Sequence, residues 1–532
     1  MKSVTSRQLK AMLHDGGEIA LLDVREAGQF GESHLLFATP LPYSRLELDV
    51  GTLVPRLSAR VVVCDDGSCG VAARACERLR ALGYSDVSTL DGGTRAWSAA
   101  GYALFKGVNV PSKTFGELVE HVYDTPRITV HDLARLRADG EDFIVVDGRP
   151  YGEFQKMNIP GGICCPNAEL PYRIGSLVRS PKTKIVVNCA GRTRSILGAQ
   201  TLINFGVSNP VYALENGTQG WALAGFELER GASRKYPEKI DDAVLPPLQE
   251  CARRLMARFS VRTVTASEVE AGLEEPGRTT YLLDVRTPEE FKAGSVPGAA
   301  HAPGGQLIQA TDQWVGLRNA RIVLLDGGEH VRAPVVASWL RQLGCDACVL
   351  EGGVRSGLRG RIGNKPRLPS IPVISPARLK SMIDTGPTLV FDLGGSMAFR
   401  KAHIPGSRWS SRSRIASDAG SAGVATSAIV LVAEEPDVAR LAATDLNESG
   451  IRNVHLLDGG LAAWVRTGYP TAASPEIPPD GECIDYLFFV HDRHAGNREA
   501  MKQYLAWETA LLAQLDEQDK ASFRIGPAPS RG

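Results

Sequence analysis

The sequence predicts an α/β fold: four tandem domains, each a central parallel sheet flanked by helices, followed by a C-terminal helical tail. Three observations predict it. The phrase Leu-acidic-Gly/Asn-Gly returns four times, as Leu90-Asp91-Gly92-Gly93, Leu214-Glu215-Asn216-Gly217, Leu350-Glu351-Gly352-Gly353 and Leu457-Asp458-Gly459-Gly460. Upstream of each lies a short β-branched run: Val61-Val62-Val63, Ile185-Val186-Val187, Ile322-Val323-Leu324 and Ile429-Val430-Leu431. Helical segments alternate with these apolar strands, the pattern of a parallel sheet buried on both faces. The repeat period, about 105 to 135 residues, describes an array of domains, because solenoid repeats are far shorter.

The elements follow one order. Each repeat opens with a short helical segment, such as Ser6 to Met12 or Ser375 to Ile383. A buried strand ending in Asp comes next: Leu21-Leu22-Asp23, Val145-Val146-Asp147, Leu282-Leu283-Asp284 and Val390-Phe391-Asp392. A Pro-Gly turn follows in three repeats, at Pro160-Gly161, Pro297-Gly298 and Pro405-Gly406. The β-branched strand then leads into a loop and an amphipathic helix such as Val71 to Leu82. Domains are expected at 1–106, 120–232, 261–362 and 371–473, with a C-terminal extension at 474–532. Residues 107–126 and 231–260 are connectors expected to pack between domains, with helical spacing over Leu245 to Phe259. Residues 361–372, rich in Arg, Pro and Lys, read as an exposed linker. The tail fits no fifth repeat. A helix is expected from about Asn497 to Asp519, with Leu505, Leu511, Leu512 and Leu515 as its packing stripe.

Composition narrows the function. At 532 residues the chain exceeds one core, and 43% hydrophobic with 23% charged residues is globular. A net charge of zero favours neither nucleic acid nor an anionic membrane. No stretch is apolar enough to span a bilayer, and the first residues lack a signal peptide's apolar run. The expectation is a cytoplasmic protein whose ten cysteines are mostly reduced thiols.

The chain resembles the rhodanese (sulfurtransferase) superfamily over roughly residues 1 to 473. The resemblance rests on the Asp-x-Arg turn, the Pro-Gly turn, the segment Cys189-Ala190-Gly191-Arg192-Thr193-Arg194-Ser195, and the Leu-acidic-Gly-Gly-x-x-x-Trp ending. That ending keeps Trp97, Trp221 and Trp464, while the third repeat has Gly357. The resemblance implies transfer of sulfane sulfur through a cysteine persulfide, with no metal or organic cofactor. It makes Cys189 the nucleophile and Arg149 a substrate-contacting residue, with Ala190, Gly191, Arg192, Thr193 and Arg194 forming the substrate loop.

Register selects the cysteine. Cys189 precedes Glu215 by 26 positions, and the same step back from Asp91 reaches Asp65, not Cys64. The corresponding residues of repeats three and four are Asp326 and Ala433, so only the second repeat is expected to be catalytic. Backbone N–H groups, the following helix terminus and two arginines are expected to favour a loop-exposed thiolate and an anionic donor such as thiosulfate. The thiolate would attack the outer sulfur, and the persulfide would pass it to a thiol, cyanide or a protein acceptor. Two rival readings are a non-catalytic persulfide carrier or protein-binding scaffold, and a Cys-dependent phosphatase. Cys-x4-Arg is one residue shorter than the phosphatase loop. Cys164-Cys165 offers a resolving thiol, with burial the simpler reading, and Cys345-Asp346-Ala347-Cys348 lacks the second pair a zinc site needs.

Overall fold

The computed structural model describes residues 2–360, 366–421 and 428–526. Part of the expected linker, residues 361–365, lies outside them. Four five-stranded sheets form, one per repeat, and every strand pairs in parallel. Within each sheet the strands run in the order 1-5-4-2-3. The expected architecture of four α/β repeats and a helical tail is therefore what the chain adopts.

In the second repeat the strands are Arg127–Ile128, Phe143–Asp147, Ile163–Cys164, Lys184–Asn188 and Val211–Leu214. Lys184–Asn188 lies between its neighbours with Val187 opposite Val146 and Asn188 opposite Asp147. Its β-branched residues Ile185, Val186 and Val187 are fully buried, as a strand covered by helices on both faces requires. The chain leaves this strand at Cys189 and re-enters a helix at Thr193–Phe205. The catalytic candidate thus sits at the C-terminal end of a central parallel strand, where α/β sheets place their ligands.

The recurring Gly has a steric cause. A Cβ on Gly217 would lie 2.2 Å from the carbonyl oxygen of Cys189. The same construction at Gly93, Gly353 and Gly460 meets the carbonyl oxygens of Asp65, Asp326 and Ala433 at 2.4, 2.3 and 2.6 Å. Each final glycine also has positive φ, so it serves both the turn and the close approach. These four contacts establish the same equivalence of positions that the spacing predicts.

Repeats one, two and three share one continuous core, whereas repeat four has its own. Both connectors enter the shared core. Residues 107–126 contain a helix, Val110–Tyr123, with Phe115 fully buried against Trp339 of repeat three. Pro111 occupies its first turn, where a missing N–H costs no hydrogen bond. The second connector helix, Leu245–Arg258, buries Ala252 and Leu255. Repeat four is tied to repeat one by ion pairs: Arg412 to Glu47, and Arg78 to Asp445.

The tail winds back across the other repeats. Its backbone meets Gly28 of repeat one, and Asp485 accepts a hydrogen bond from the Ser396 N–H of repeat four. The single helix expected from Asn497 to Asp519 is instead two pieces, Arg498–Ala510 and Glu517–Ala521. Asp516 causes the break by accepting from the Asp519 N–H, which starts the second helix. Leu511 and Leu515 are buried with Phe105 and Val110. No described helix is long and apolar enough to cross a membrane.

Candidate active site

Cys189, Ala190 and Gly191 form a tight loop above the Asn188 end of the central strand. The Cys189 carbonyl accepts from Thr218 N–H at 2.9 Å, and the Ala190 carbonyl from Gln219 N–H at 3.1 Å and Gln219 Nε2 at 3.0 Å. With their carbonyls held outward, the N–H groups of Ala190, Gly191 and Arg192 have no protein acceptor among the described residues. Successive amides left without a protein acceptor are available to an anion. Asn167 Nδ2 donates to the Arg194 carbonyl at 2.8 Å and fixes the first helical turn.

Cys189 is only 2% exposed, which differs from the exposure expected of a loop cysteine. The cover is the tail helix Arg498–Ala510. A Cβ on Gly191 would lie 3.1 Å from Glu508 Oε2 and 3.3 Å from Tyr504 Cε1. Glu508 is 1% exposed, and its Oε1 accepts from the Thr193 N–H at 3.3 Å and from the Thr193 hydroxyl. Arg498 anchors the helix by donating to the carbonyls of Ala222 and Leu223, at the end of the helix that follows Asn216. Burial would raise the Glu508 carboxyl, but Lys113, the Thr193 hydrogen bonds and Arg493 outweigh it and hold the group below the usual carboxylate range.

The three arginines expected to meet substrate all have carboxylate partners. Arg149 is 2% exposed and grips both oxygens of Asp147, at 2.8 and 2.7 Å, and the Met157 carbonyl at 2.6 Å. Arg25–Asp23 and Arg286–Asp284 repeat this arrangement in repeats one and three, where Asp65 and Asp326 stand in the place of Cys189. Arg149 thus braces the turn, and its guanidinium is committed to protein acceptors. Arg192 pairs with Glu117 at 2.8 Å and Glu120 at 2.5 Å, both from the connector helix. Arg194 pairs with Glu153 at 2.8 Å and is close enough to Cys189 to interact with it electrostatically.

The other repeats show what the loop amides donate to. Asp65 takes the N–H groups of Gly67 at 2.7 Å and Ala72 at 3.0 Å. Asp326 takes those of Gly328 at 3.0 Å, and Val331 and Ala333 at 3.2 Å. A carboxylate fills the cradle in both. Cys64 remains inside its strand opposite Asp23, as Asn188 stands opposite Asp147. Its burial pushes the thiol well above the usual range. Cys164 and Cys165 are buried too, with burial raising Cys164 to about 12.

Sequence spacing missed Glu508, Tyr504, Lys113, Glu117, Glu153, Asn167 and Gln219. Glu508 lies 315 positions from Thr193, and nothing local in the tail marks it as part of a site.

A repeated parallel sheet with a cysteine, or its replacement, at one strand end defines the rhodanese class. The Rhodanese-like domain model matches residues 5–100, 129–224, 265–358 and 375–467, and the chain belongs to that family. It is similar along 99% of its length to a solved thiosulfate sulfurtransferase from Pseudomonas aeruginosa, at 41% identity and TM-score 0.91, covering 100% of that chain. It is 30% identical over 116 residues to thiosulfate sulfurtransferase of Gallus gallus, 21% of this chain and 39% of that protein. It is 35% identical over 105 residues to an HTH-type transcriptional regulator of Mycobacterium tuberculosis, 20% of this chain and 45% of that protein. The chain spans half or less of the length of these curated relatives.

Proposed function

We propose that the chain is a thiosulfate sulfurtransferase-type enzyme that carries sulfane sulfur on Cys189. The donor is thiosulfate or a persulfide, and the acceptor is a thiol, cyanide or a protein thiol. The carrying observation is the Cys189 loop itself: a thiol stands at the position where two sister repeats hold a carboxylate against the N–H two residues on, the place of Gly191. A persulfide anion has the charge and the place of that carboxylate. The name of the Pseudomonas aeruginosa protein, similar along almost the whole chain, supports the same chemistry.

With thiosulfate, the Cys189 thiolate attacks the outer sulfur, the S–S bond breaks, and its electron pair leaves on sulfite. The amides of Ala190, Gly191 and Arg192 stabilise the new terminal sulfur. An acceptor thiolate then attacks that sulfur and leaves as its own persulfide, restoring the Cys189 thiolate. Glu153, Glu117 and Glu120 hold the two loop arginines, so the loop keeps its shape as charge moves through it.

The test is intact-mass analysis after exposure to each donor, with peptide mapping. The full chain should gain one sulfur atom at Cys189. Cys189→Ser should abolish turnover, and Cys64→Ser should retain most of it. Equal losses in the two variants refute the assignment.

A further inference from the structure

We propose that the cavity between repeats one and three binds a small organic carboxylate, its carboxyl group on the Arg318 guanidinium and its apolar body against Phe37. The cavity holds about 420 Å³ and is walled by repeat one, the start of the connector helix, repeat three and the end of the tail. Small-molecule sites have this size and favour clefts between domains. No residue of the Cys189 loop lines it.

Arg318 carries the argument. Its backbone N–H donates to the Ile19 carbonyl at 2.9 Å, and Asn319 Nδ2 donates to the Gly17 carbonyl at 2.9 Å. These bonds fix the residue where repeat three meets repeat one. The guanidinium lies over the Phe37 ring, 3.6 Å from its centroid. Stacking occupies the face of a guanidinium and leaves the N–H edge to grip a carboxylate with two parallel hydrogen bonds. Arg318 Nε is buried with no hydrogen-bond partner, and no carboxylate among the described residues pairs with this side chain. Arg149, Arg192 and Arg194, by contrast, each have one. A buried donor of this kind calls for an acceptor. Burial lowers Arg318 to about 10, which leaves it cationic at neutral pH.

The charges facing the cavity leave it positive. Arg318 and Arg524 line it as guanidiniums, and Asp312 is the carboxylate of the lining. Asp312 is shifted by burial and by the amides of its own turn, whereas Arg318 responds to burial, Cys345 and Asp519. Asp519 lies outside the lining and is bound to Lys10 at 2.7 Å. Burial, Lys10 and Arg318 lower His14, so its ring is neutral at neutral pH, and burial raises the Cys345 thiol to about 11. The rest of the wall selects the class of anion. Leu36, Phe37, Val315, Leu317 and Phe523 offer apolar surface that a bare inorganic anion would leave wet and a hydrocarbon body would cover. Gln309 Oε1 is buried without a partner and gives a second polar point. Its amide presents a donor or an acceptor according to its rotation, so it takes a polar substituent without choosing one.

The experiment is calorimetric titration of the full chain with three probes: hexanoate, its neutral isostere hexanamide, and sulfate. Hexanoate should bind one site with a Kd of about 1 mM or tighter. Hexanamide and sulfate should each bind about tenfold or more weakly, the first for want of charge and the second for want of an apolar body. Arg318→Met should weaken hexanoate by about tenfold or more, and Arg318→Lys should restore part of the loss. Hydrogen exchange with hexanoate bound should slow at residues 316–320 and 522–524. No hexanoate binding by about 10 mM overturns the proposal and leaves the cavity to water. So does hexanamide or sulfate binding as well as hexanoate, a comparison made on the unmutated chain that holds even if Arg318→Met does not fold. Undiminished binding in folded Arg318→Met, or protection confined to other segments, overturns it too.

Discussion

Trimming Trp339 to alanine should loosen repeats one to three and the connector helix Val110–Tyr123 in one step. The side chain is 1% exposed in repeat three, and its indole N–H donates to Thr201 Oγ1 of repeat two at 2.8 Å. Its ring meets Phe115 of the connector helix edge-on, with centroids 5.8 Å apart. Burying an aromatic and then deleting it costs about 3–5 kcal/mol in a core that cannot collapse. The hydrogen bond adds about 1 kcal/mol, although Thr201 keeps its own bond to the Leu197 carbonyl. The expected loss for Trp339→Ala is therefore about 4 kcal/mol. Trp339→Phe, which keeps most of the ring and loses the donor, should cost about 1–2 kcal/mol. Urea denaturation followed by hydrogen exchange and mass spectrometry reads the effect repeat by repeat. Protection should fall together in repeats one to three and stay unchanged in repeat four, whose core is separate. A loss below about 1 kcal/mol, or one confined to repeat three, would refute the shared core.

Three further outcomes follow from the same geometry. Gly116→Ala should slow turnover several-fold without unfolding the chain, because its Cβ would lie 2.7 Å from Thr193 Cγ2, next to the loop; steady-state kinetics and melting check it. Glu26, 5% exposed, has its carboxyl raised to about 7 by burial, with the charge of Asp485 adding to the shift. A raised carboxyl contributes stability that is present below its unfolded value near 4.5 and is lost as pH rises through 7, so Glu26→Gln should gain on the unmutated chain between pH 5 and pH 8 by up to about 3 kcal/mol; an unchanged difference in melting temperature counts against it. Residues 120–232 expressed alone should melt lower than the full chain and react less selectively, since they lack Glu117, Phe115 and Glu508; equal melting and equal rates with every acceptor would show that the neighbours are dispensable.

Much of the fold was legible because it repeats. Strands ending in Asp and loops closed by a glycine recur at matching positions, so each repeat calibrates the next. That is why spacing alone separated Cys189 from Cys64, and the contacts of Gly93 and Gly217 give the physical reason. Arg149 shows the limit of the method. Its place after the first strand suggested substrate contact, yet Arg25 and Arg286 occupy the same ion pair in repeats whose loop position holds Asp65 and Asp326. A position shared with repeats that lack the loop cysteine reports on scaffold as readily as on chemistry. The connector helix was hidden by Pro111, which looks like a break and sits where a helix tolerates it. The charge around the loop was hidden more deeply. Glu117, Glu153 and Glu508 come from three separate segments, and a repeat pattern carries no signal for a contact made once.

The tail helix has a consequence for how the protein comes into being. On the ribosome, repeat two emerges and can close its sheet long before residues 498–510 exist. Until Glu508 and Tyr504 arrive, the Cys189 loop lacks the neighbours that pack against Gly191 and Thr193. A chain broken off after its fourth repeat would lack the side chains that close over the Cys189 loop.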